Sequence, residues 1–180
     1  AVVVGGGVGC AIAYPQAKRL FENGAEVEVI AGFRSKDLII LEEEMKAVST
    51  RFHLMTDDGS AGRKGFVTDP LRDLLEQDAR REVVIAIGPV PMMKFVSRLT
   101  EPYGVNTVVS LNPIMIDGTG MCGCCRVTVG GEIKFACVDG PDFDGHQVDF
   151  DELAQRLTVY REREGQDHEQ HRCRLFPKEC

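Results

Sequence analysis

Through its first 110 residues the chain alternates short apolar runs with longer amphipathic segments, which limits the possible folds more than any other feature. The predicted strands are residues 2–4, 26–30, 52–55, 83–87 and 107–109, and the predicted helices are residues 11–23, 37–48, 66–77 and 91–101. Almost wholly apolar strands separated by helices are typical of a parallel sheet that is buried on both faces. The sequence therefore predicts a doubly wound α/β fold with a five-stranded parallel sheet.

The first predicted strand runs into a glycine-rich turn, Gly5-Gly6-Gly7-Val8-Gly9, directly ahead of the first helix. Such a turn lets backbone N–H groups and the positive end of a helix approach a phosphate. The match to G-x-G-x-x-G is partial, because Cys10 stands where the third glycine belongs. A tight turn without a ligand is the alternative, but the position after the first strand of an α/β pattern favours a pyrophosphate.

Two more segments follow predicted strands, at the sheet edge where open α/β folds bind ligands. Their candidate nucleotide contacts are Thr56, Asp57, Asp58, Gly88, Pro89 and Met92. Because Asp57 and Asp58 can accept hydrogen bonds from ribose hydroxyls and would repel the extra phosphate of NADP, they favour NADH. The same pair could simply form a turn, Arg34 and Lys36 could instead meet that phosphate, and Met92 is equally consistent with core packing.

The composition changes after Leu111, where glycine and cysteine become frequent and the helical period is lost. Alternating runs at 126–129 and 132–136 flank Gly130-Gly131, which predicts a β-hairpin, since two glycines supply the positive φ angles of a tight turn. Apolar spacing predicts a helix over 151–163, followed by a polar tail over 165–180. We expect a nucleotide-binding domain at 1–110, a cysteine-rich metal-binding module at 111–150, and a C-terminal helix and tail at 151–180.

Four of the seven cysteines lie between Cys122 and Cys137, which favours a metal site over a disulfide framework. The plant-type pattern for a [2Fe-2S] cluster is Cys, four residues, Cys, two residues, Cys and a distant Cys. On this chain the last three ligands become Cys122, Cys125 and Cys137, and the first falls on Asp117, an oxygen ligand. Cys124 is then a spare thiol. In the alternative, Cys124 is the fourth ligand and Asp117 only caps a turn.

Charge and hydropathy exclude several other classes of protein. With 43% hydrophobic and 27% charged residues the composition is that of an ordinary globular protein. A net charge of −7 leaves no broad basic surface, so we expect no nucleic-acid partner. Apolar runs fall short of the roughly 18 residues of a membrane span, and no basic region precedes the apolar start. We therefore expect no membrane association, no signal peptide and a cytoplasmic location.

Taken together, four motifs resemble the ferredoxin–NADP reductase superfamily. In chain order they are Gly-Gly-Gly-Val-Gly, Thr-Asp-Asp-Gly-Ser-Ala-Gly-Arg-Lys-Gly, Ile-Gly-Pro-Val-Pro-Met-Met and Asp-Gly-Thr-Gly-Met-Cys-Gly-Cys-Cys-Arg-Val. Within the superfamily the chain is most similar to small subunits of NADH-dependent ferredoxin:NADP oxidoreductase, also called sulfide dehydrogenase. Electron-transfer subunits of dihydroorotate dehydrogenase are the next relatives, but they normally carry cysteine at the position of Asp117. The resemblance covers residues 1–150.

This resemblance implies an oxidoreductase subunit that passes electrons between NADH, FAD and a larger flavin and iron–sulfur partner subunit. Family members carry a flavin-binding barrel of roughly one hundred residues, the size of one domain, before the nucleotide domain. The Arg-x-Tyr-Ser flavin signature is missing here, so we expect the chain to lack the FAD barrel and to be incomplete for catalysis alone. We assign no catalytic side chain. The alternative function is a nucleotide-binding or docking module whose cysteine hairpin holds a structural zinc.

Overall fold

A mostly parallel sheet dominates the structure, a computed structural model that describes residues 1–77 and 81–170, the last four by their backbone alone. The strands are β1 (Val2–Gly6), β2 (Glu28–Phe33), β3 (Arg51–Thr56), β4 (Arg63–Lys64), β5 (Val83–Ile87), β6 (Asn106–Ser110), β7 (Arg126–Val129), β8 (Glu132–Phe135) and β9 (Asp142–Asp144). Seven of them form one sheet in the order β4-β3-β2-β1-β5-β6-β9. The five predicted strands are its parallel centre, so the predicted α/β class is confirmed.

The sheet is two strands wider than the predicted five. β4 has two residues and pairs in parallel with the end of β3. β9 has three residues, comes from the segment after the cysteines, and pairs antiparallel with β6, with Phe143 opposite Val109. Neither strand has an apolar alternation long enough to be read from the sequence. As a result, the cysteine-rich segment returns to the main sheet.

Helices cover both faces of the sheet, as a doubly wound fold requires. They are α1 (Gly9–Glu22), α2 (Glu42–Ala47), α3 (Thr68–Gln77), α4 (Val90–Thr100), α5 (Phe150–Arg156) and α6 (Arg161–Gln170). Successive residues of a strand point to opposite faces. Val3 accordingly packs in the core beneath α1 and α2, whereas Val2 and Val4 pack in the core beneath α3, α4 and α5.

The predicted helix over 37–48 is wrong in its first half. A single 3-10 turn spans Lys36–Leu38, the chain is then extended, and α2 begins only after Leu41, whose φ is 56°. Ile39 and Leu41 both pack against the core beneath α1. Two residues that are two apart lie on one side of an extended chain but on different sides of a helix, so burying both favours the break.

The predicted helix over 151–163 is two helices, α5 and α6, separated by residues 157–160. At the end of α5 the hydroxyl of Thr158 donates to the carbonyl of Gln155, which satisfies a carbonyl of the last turn. Residues 165–170 of the predicted polar tail belong to α6, and residues 171–180 lie outside the described residues.

The predicted hairpin is confirmed as β7 and β8, with positive φ angles of 60° and 79° at Gly130 and Gly131. Among residues 1–77 and 81–170, no helix is long and apolar enough to cross a membrane.

Candidate functional site

The register of the central strands brings several loops to one edge of the sheet. Gly6 lies opposite Gly32, Phe33 opposite Thr56, and Gly5 opposite Ile87. The loops that follow β1, β2, β3 and β5 therefore start at the same level. Strand order reverses between β1 and β5, and open α/β sheets bind ligands in the crevice at such a reversal.

Close packing in the glycine-rich turn leaves no room for a side chain at Gly6 or Gly9. A Cβ atom on Gly6 would lie 2.5 Å from Sδ of Met92, and one on Gly9 would collide with the carbonyl of Ile87. Gly7 has a φ of 55° and donates its N–H to the carbonyl of Gly32 at 2.8 Å. Within the described chain, no side chain caps α1 and no acidic residue stands in its first turn. The positive end of this helix is thus available to an anion.

A cavity of about 680 Å³ opens beside this turn, within the usual range of about 300–1,000 Å³ for small-molecule sites. Its lining comprises Gly6, Gly7, Gly32, Phe33, Arg34, Leu38, Asp57, Gly65, Phe66, Val67, Thr68, Pro89, Pro91, Met92 and Phe95. Five of the predicted nucleotide contacts are in that set: Gly6, Gly7, Asp57, Pro89 and Met92. They come from three different loops, which the sheet brings together.

Three other predicted glycines support the turn from outside the cavity lining. Gly5 lies in β1 against Cys10, Gly9 is the first residue of α1, and Gly88 packs against Gly6. Val8 precedes α1 and is 79% exposed. Burial raises the pKa of the Cys10 thiol to about 12, so this residue, which replaces the third glycine, is a neutral packing group.

The remaining predicted contacts, Thr56 and Asp58, are engaged within their own loop. The buried hydroxyl of Thr56 donates to the carbonyl of Ala61. The carboxylate of Asp58 accepts from the hydroxyl of Ser60 at 2.6 Å and from its N–H at 2.9 Å, and these bonds lower the pKa of Asp58. Asp57, one residue earlier, is the carboxylate on the cavity.

Arg34 and two aromatic side chains complete the cavity. Arg34 and Asp57 put opposite charges on its lining, to which Lys36 does not belong. The backbone N–H of Lys36 donates to Oγ of Ser60 at 2.7 Å. Phe66 and Phe95 also line it, although no sequence motif marked them, and they are 67% and 58% exposed. Large exposed aromatic faces beside a glycine turn are suited to stacking against planar rings.

The second candidate site is the loop that leads into β7. Sγ of Cys125 lies 3.3 Å from Sγ of Cys137, because the hairpin continues with an N–H bond from Ala136 to the carbonyl of Cys125. Cys125 is buried, whereas Cys122 is exposed. The thiol of Cys124 faces the carbonyl of Cys122 at 3.9 Å.

Asp117 lies at the N-terminal end of this loop. Its carboxylate accepts from the N–H of Thr119 at 2.8 Å and from the Thr119 hydroxyl at 3.2 Å. Those bonds, together with weaker ones from Cys122, lower the pKa of Asp117. The hydrogen bond to Cys125 raises the pKa of Cys137, and the neighbouring Cys122 side chain raises that of Cys124. Of the four predicted ligands, Cys125 and Cys137 therefore stand as a close pair, whereas the carboxylate of Asp117 is bound mainly by Thr119.

Zinc and a two-iron cluster require different arrangements of protein ligands. Among the described residues, no three histidine, cysteine, aspartate or glutamate side chains converge on a point that could hold a metal ion. A structural zinc needs four ligands around one ion, whereas a two-iron cluster takes two protein ligands on each iron. The close pair Cys125–Cys137 supplies two ligands, which is the number that each iron of a two-iron cluster takes from the protein.

Two family models match the chain at these two sites. The model of an oxidoreductase NAD-binding domain matches residues 3–98, which contain the glycine turn and the cavity. The model of the iron–sulfur cluster binding domain of dihydroorotate dehydrogenase B matches residues 112–149, which contain Asp117 and the cysteines. The chain thus has an NAD-binding domain and an iron–sulfur cluster binding domain.

Several known proteins are similar over most of the chain. A dihydroorotate dehydrogenase B (NAD(+)) electron transfer subunit homolog of Thermotoga maritima is 54% identical over 91% of this chain and 57% of its own length. The dihydroorotate dehydrogenase B (NAD(+)) electron transfer subunit of Streptococcus mutans is 34% identical over 84% of this chain and 58% of its own length. This chain therefore spans little more than half of these relatives.

A solved structure is also similar to this chain in sequence and fold. A chain from the structure of an NADH-dependent reduced ferredoxin-NADP oxidoreductase, a protein of flavin-based electron bifurcation, is 50% identical, with a TM-score of 0.85. The match covers 94% of this chain and 60% of that one. The resemblance inferred from the motifs is confirmed. This chain belongs to the family of the oxidoreductase NAD-binding domain, joined here to an iron–sulfur cluster binding domain of the dihydroorotate dehydrogenase B type.

Proposed function

We propose that this chain is the NADH-binding and cluster-binding part of an electron-transfer subunit, working with a flavin and a larger flavin and iron–sulfur partner subunit. One observation carries the proposal: two helices in contact with each other, α4 and α5, connect the two candidate sites. α4 contributes Met92 and Phe95 to the nucleotide cavity, and its Lys94 forms an ion pair with Asp151 of α5. α5 in turn contacts the cysteine hairpin through Glu152 and Thr128.

In this function the cavity holds NADH. The N–H groups of the glycine turn and the positive end of α1 bind the pyrophosphate, as they do at other helix N-termini. Asp57 accepts hydrogen bonds from a ribose and disfavours the additional phosphate of NADPH. Phe66 and Phe95 supply stacking surfaces, and Pro89 and Met92 border the end of the cavity beside the glycine turn. Thr56, Asp58 and Gly88 shape the loops around the ligand.

The cysteine loop holds the metal centre. Asp117, Cys122, Cys125 and Cys137 are the proposed ligands of a [2Fe-2S] cluster, and Cys124 is not a ligand. A bound flavin accepts a hydride from NADH, whereas a two-iron cluster carries single electrons. The residues of this chain bind and orient these groups. Burial of Cys125 and the 3.3 Å approach of Cys137 keep one ligand pair in register.

The larger partner and the cellular location are also proposals. The relatives are named electron transfer subunits, which supports a partner that receives or supplies the electrons. A cytoplasmic location agrees with free, metal-binding thiols, since cytosolic reductants keep thiols reduced. Structural zinc in the cysteine hairpin is the competing function.

Purification without oxygen, followed by metal analysis and nucleotide titration, tests the proposal. We expect brown protein with about two irons and two acid-labile sulfides per chain. We also expect NADH to bind more tightly than NADPH. A colourless protein with one zinc per chain would favour the zinc-bound docking module instead. Cys125→Ser should lose the cluster yet still bind NADH, which separates the two sites.

A further inference from the structure

α5 is only seven residues long, yet it contacts the nucleotide domain on one side and the cysteine hairpin on the other. Its start is fixed by Asp149, whose carboxylate accepts from the N–H groups of Asp151 and Glu152 and whose own N–H donates to the carbonyl of Thr128 in β7. Leu153 is buried in the core beneath α4. The helix is thus held between the nucleotide domain and the cysteine hairpin.

Arg156 is the last residue of this anchored helix. It is half-buried, and its guanidinium donates a hydrogen bond of 3.3 Å to the backbone carbonyl of Cys124. The two residues are 32 positions apart in the chain, so this bond depends on the fold. A cation at a helix C-terminus also interacts favourably with the helix dipole, which supports this orientation of Arg156.

The carbonyl that Arg156 binds belongs to the middle of the proposed cluster loop. Cys124 lies between Cys122 and Cys125, and its thiol is not a proposed ligand. Hydrogen bonds that hold the ligands of a metal in place matter for its binding, and loss of such a partner typically costs about 10- to 100-fold in affinity. Arg156 therefore contacts the cluster loop at a backbone carbonyl, that of Cys124.

Arg156 also brings a charge to the loop. A guanidinium is a permanent positive charge in proteins. Two carboxylates of this part of the fold have other partners: Glu152, one turn earlier on α5, accepts from Thr128, and Asp117 accepts from Thr119. Reduction adds a negative charge to an iron–sulfur cluster, and a nearby positive charge favours the reduced form.

We infer that Arg156 is a positioning residue for the iron–sulfur cluster, one that secures the Cys122–Cys125 loop through the Cys124 carbonyl and raises the cluster's reduction potential by its charge. The inference rests on the proposed function, because it needs a cluster in this loop. It assigns a role to a residue that lies outside the matched cluster-binding domain, at the end of α5.

Three variants of Arg156 separate its charge from its hydrogen bond. Arg156→Gln removes the charge but keeps a shorter amide donor, Arg156→Lys keeps the charge, and Arg156→Met removes both. Arg51→Gln is the matched control, because Arg51 is exposed on β3, five strands from β9 and thus about 24 Å across the sheet. At that separation salt screens the charge.

Two quantities are measured on anaerobically purified protein: the cluster's reduction potential, by redox titration, and the rate of iron release to a chelator. We expect Arg156→Gln and Arg156→Met to have a lower potential and several-fold faster iron release. Arg156→Lys should keep nearly the wild-type potential but release iron faster, since its single ammonium replaces the guanidinium fork. Arg51→Gln should match wild type in both, and NADH binding should be unchanged in all four.

Wild-type potential and iron release in Arg156→Gln and Arg156→Met would overturn the inference. It would also be overturned by a drop in potential in Arg156→Lys as large as in Arg156→Gln, or by an equal drop in Arg51→Gln. If Arg156→Gln and Arg156→Met do not fold, the iron release of Arg156→Lys tests the inference. A rate equal to that of wild type would contradict a positioning role for Arg156. Wild-type protein without iron refutes the proposed function and this inference together, whereas iron-loaded wild type with unaffected variants refutes this inference alone.

Discussion

At the level of single residues, the adjacent carboxylates of Asp57 and Asp58 have different surroundings. Asp57 lines the nucleotide cavity beside Arg34, whereas Asp58 is bound by the hydroxyl and N–H of Ser60. The sequence marked the pair but could not separate its members, because the orientation of two neighbours in a turn depends on hydrogen bonds made two residues later. We therefore expect only Asp57 to affect nucleotide choice.

We predict that Asp57→Asn raises the affinity for NADPH relative to NADH by about tenfold, equivalent to ~1.4 kcal/mol of removed repulsion. Asp58→Asn is the control and should leave the ratio of affinities near that of wild type. Calorimetric titration of both nucleotides measures the ratio. An unchanged ratio in Asp57→Asn, or an equal change in Asp58→Asn, would show that this carboxylate does not discriminate.

The proposed oxygen ligand, Asp117, is tested by three substitutions. Asp117→Cys should keep a cluster with a shifted potential, because a thiolate replaces a harder carboxylate. Asp117→Ala should lose most of its iron during purification, and Cys124→Ser should behave as wild type. Iron content and redox titration measure these effects. Loss of the cluster in Cys124→Ser with full retention in Asp117→Ala would make the thiol of Cys124 the ligand instead.

At the level of helices and strands, the sequence was most informative where an element is long and apolar. The five central strands were predicted to within three residues at each end, since β1 and β5 are almost wholly hydrophobic. β9 was missed because its sequence, Asp-Phe-Asp, becomes a strand only by pairing with β6, a contact between distant parts of the chain. α2 was predicted too long because packing of Ile39 and Leu41 outweighs the local helical pattern.

The start of α5 depends on one side chain, which gives a stability prediction. Asp149→Ala removes the acceptor of two backbone N–H groups and should lower the free energy of unfolding by about 1 kcal/mol. Urea denaturation measures this, and the slope of the transition should not change. Glu44→Ala, which removes an exposed carboxylate from α2, is the control. Equal stability of both variants would argue against the cap.

At the scale of the whole molecule, the cavity lies at the centre of the sheet and the cysteine hairpin at one edge, yet the two are not independent. β9 follows the hairpin and completes the sheet beside β6, and α5 is ion-paired to α4 through Lys94 and Asp151. The sequence predicted a boundary near residue 111 from composition. It could not predict that the later segment would supply an edge strand.

We therefore expect the hairpin and the sheet to unfold together. In hydrogen exchange at rising urea concentration, amides of β6 and of β7 should become exchangeable over the same range. This follows because opening the hairpin also frees Asp149, whose N–H bonds to the carbonyl of Thr128, and with it the start of α5. Exchange of β7 at clearly lower urea than β6 would indicate two separate folding units.

We propose that the nucleotide cavity and the cysteine loop belong to one path of electron transfer. Adding NADH, without oxygen, to the subunit with its flavin and its cluster tests this most directly, with the visible absorption of the cluster as the readout. We predict that the absorption falls as the cluster is reduced, and that Cys125→Ser shows no such change while its flavin is still reduced. Flavin reduced by NADH beside a cluster that stays oxidised in the wild-type protein would show that the two sites do not share an electron path.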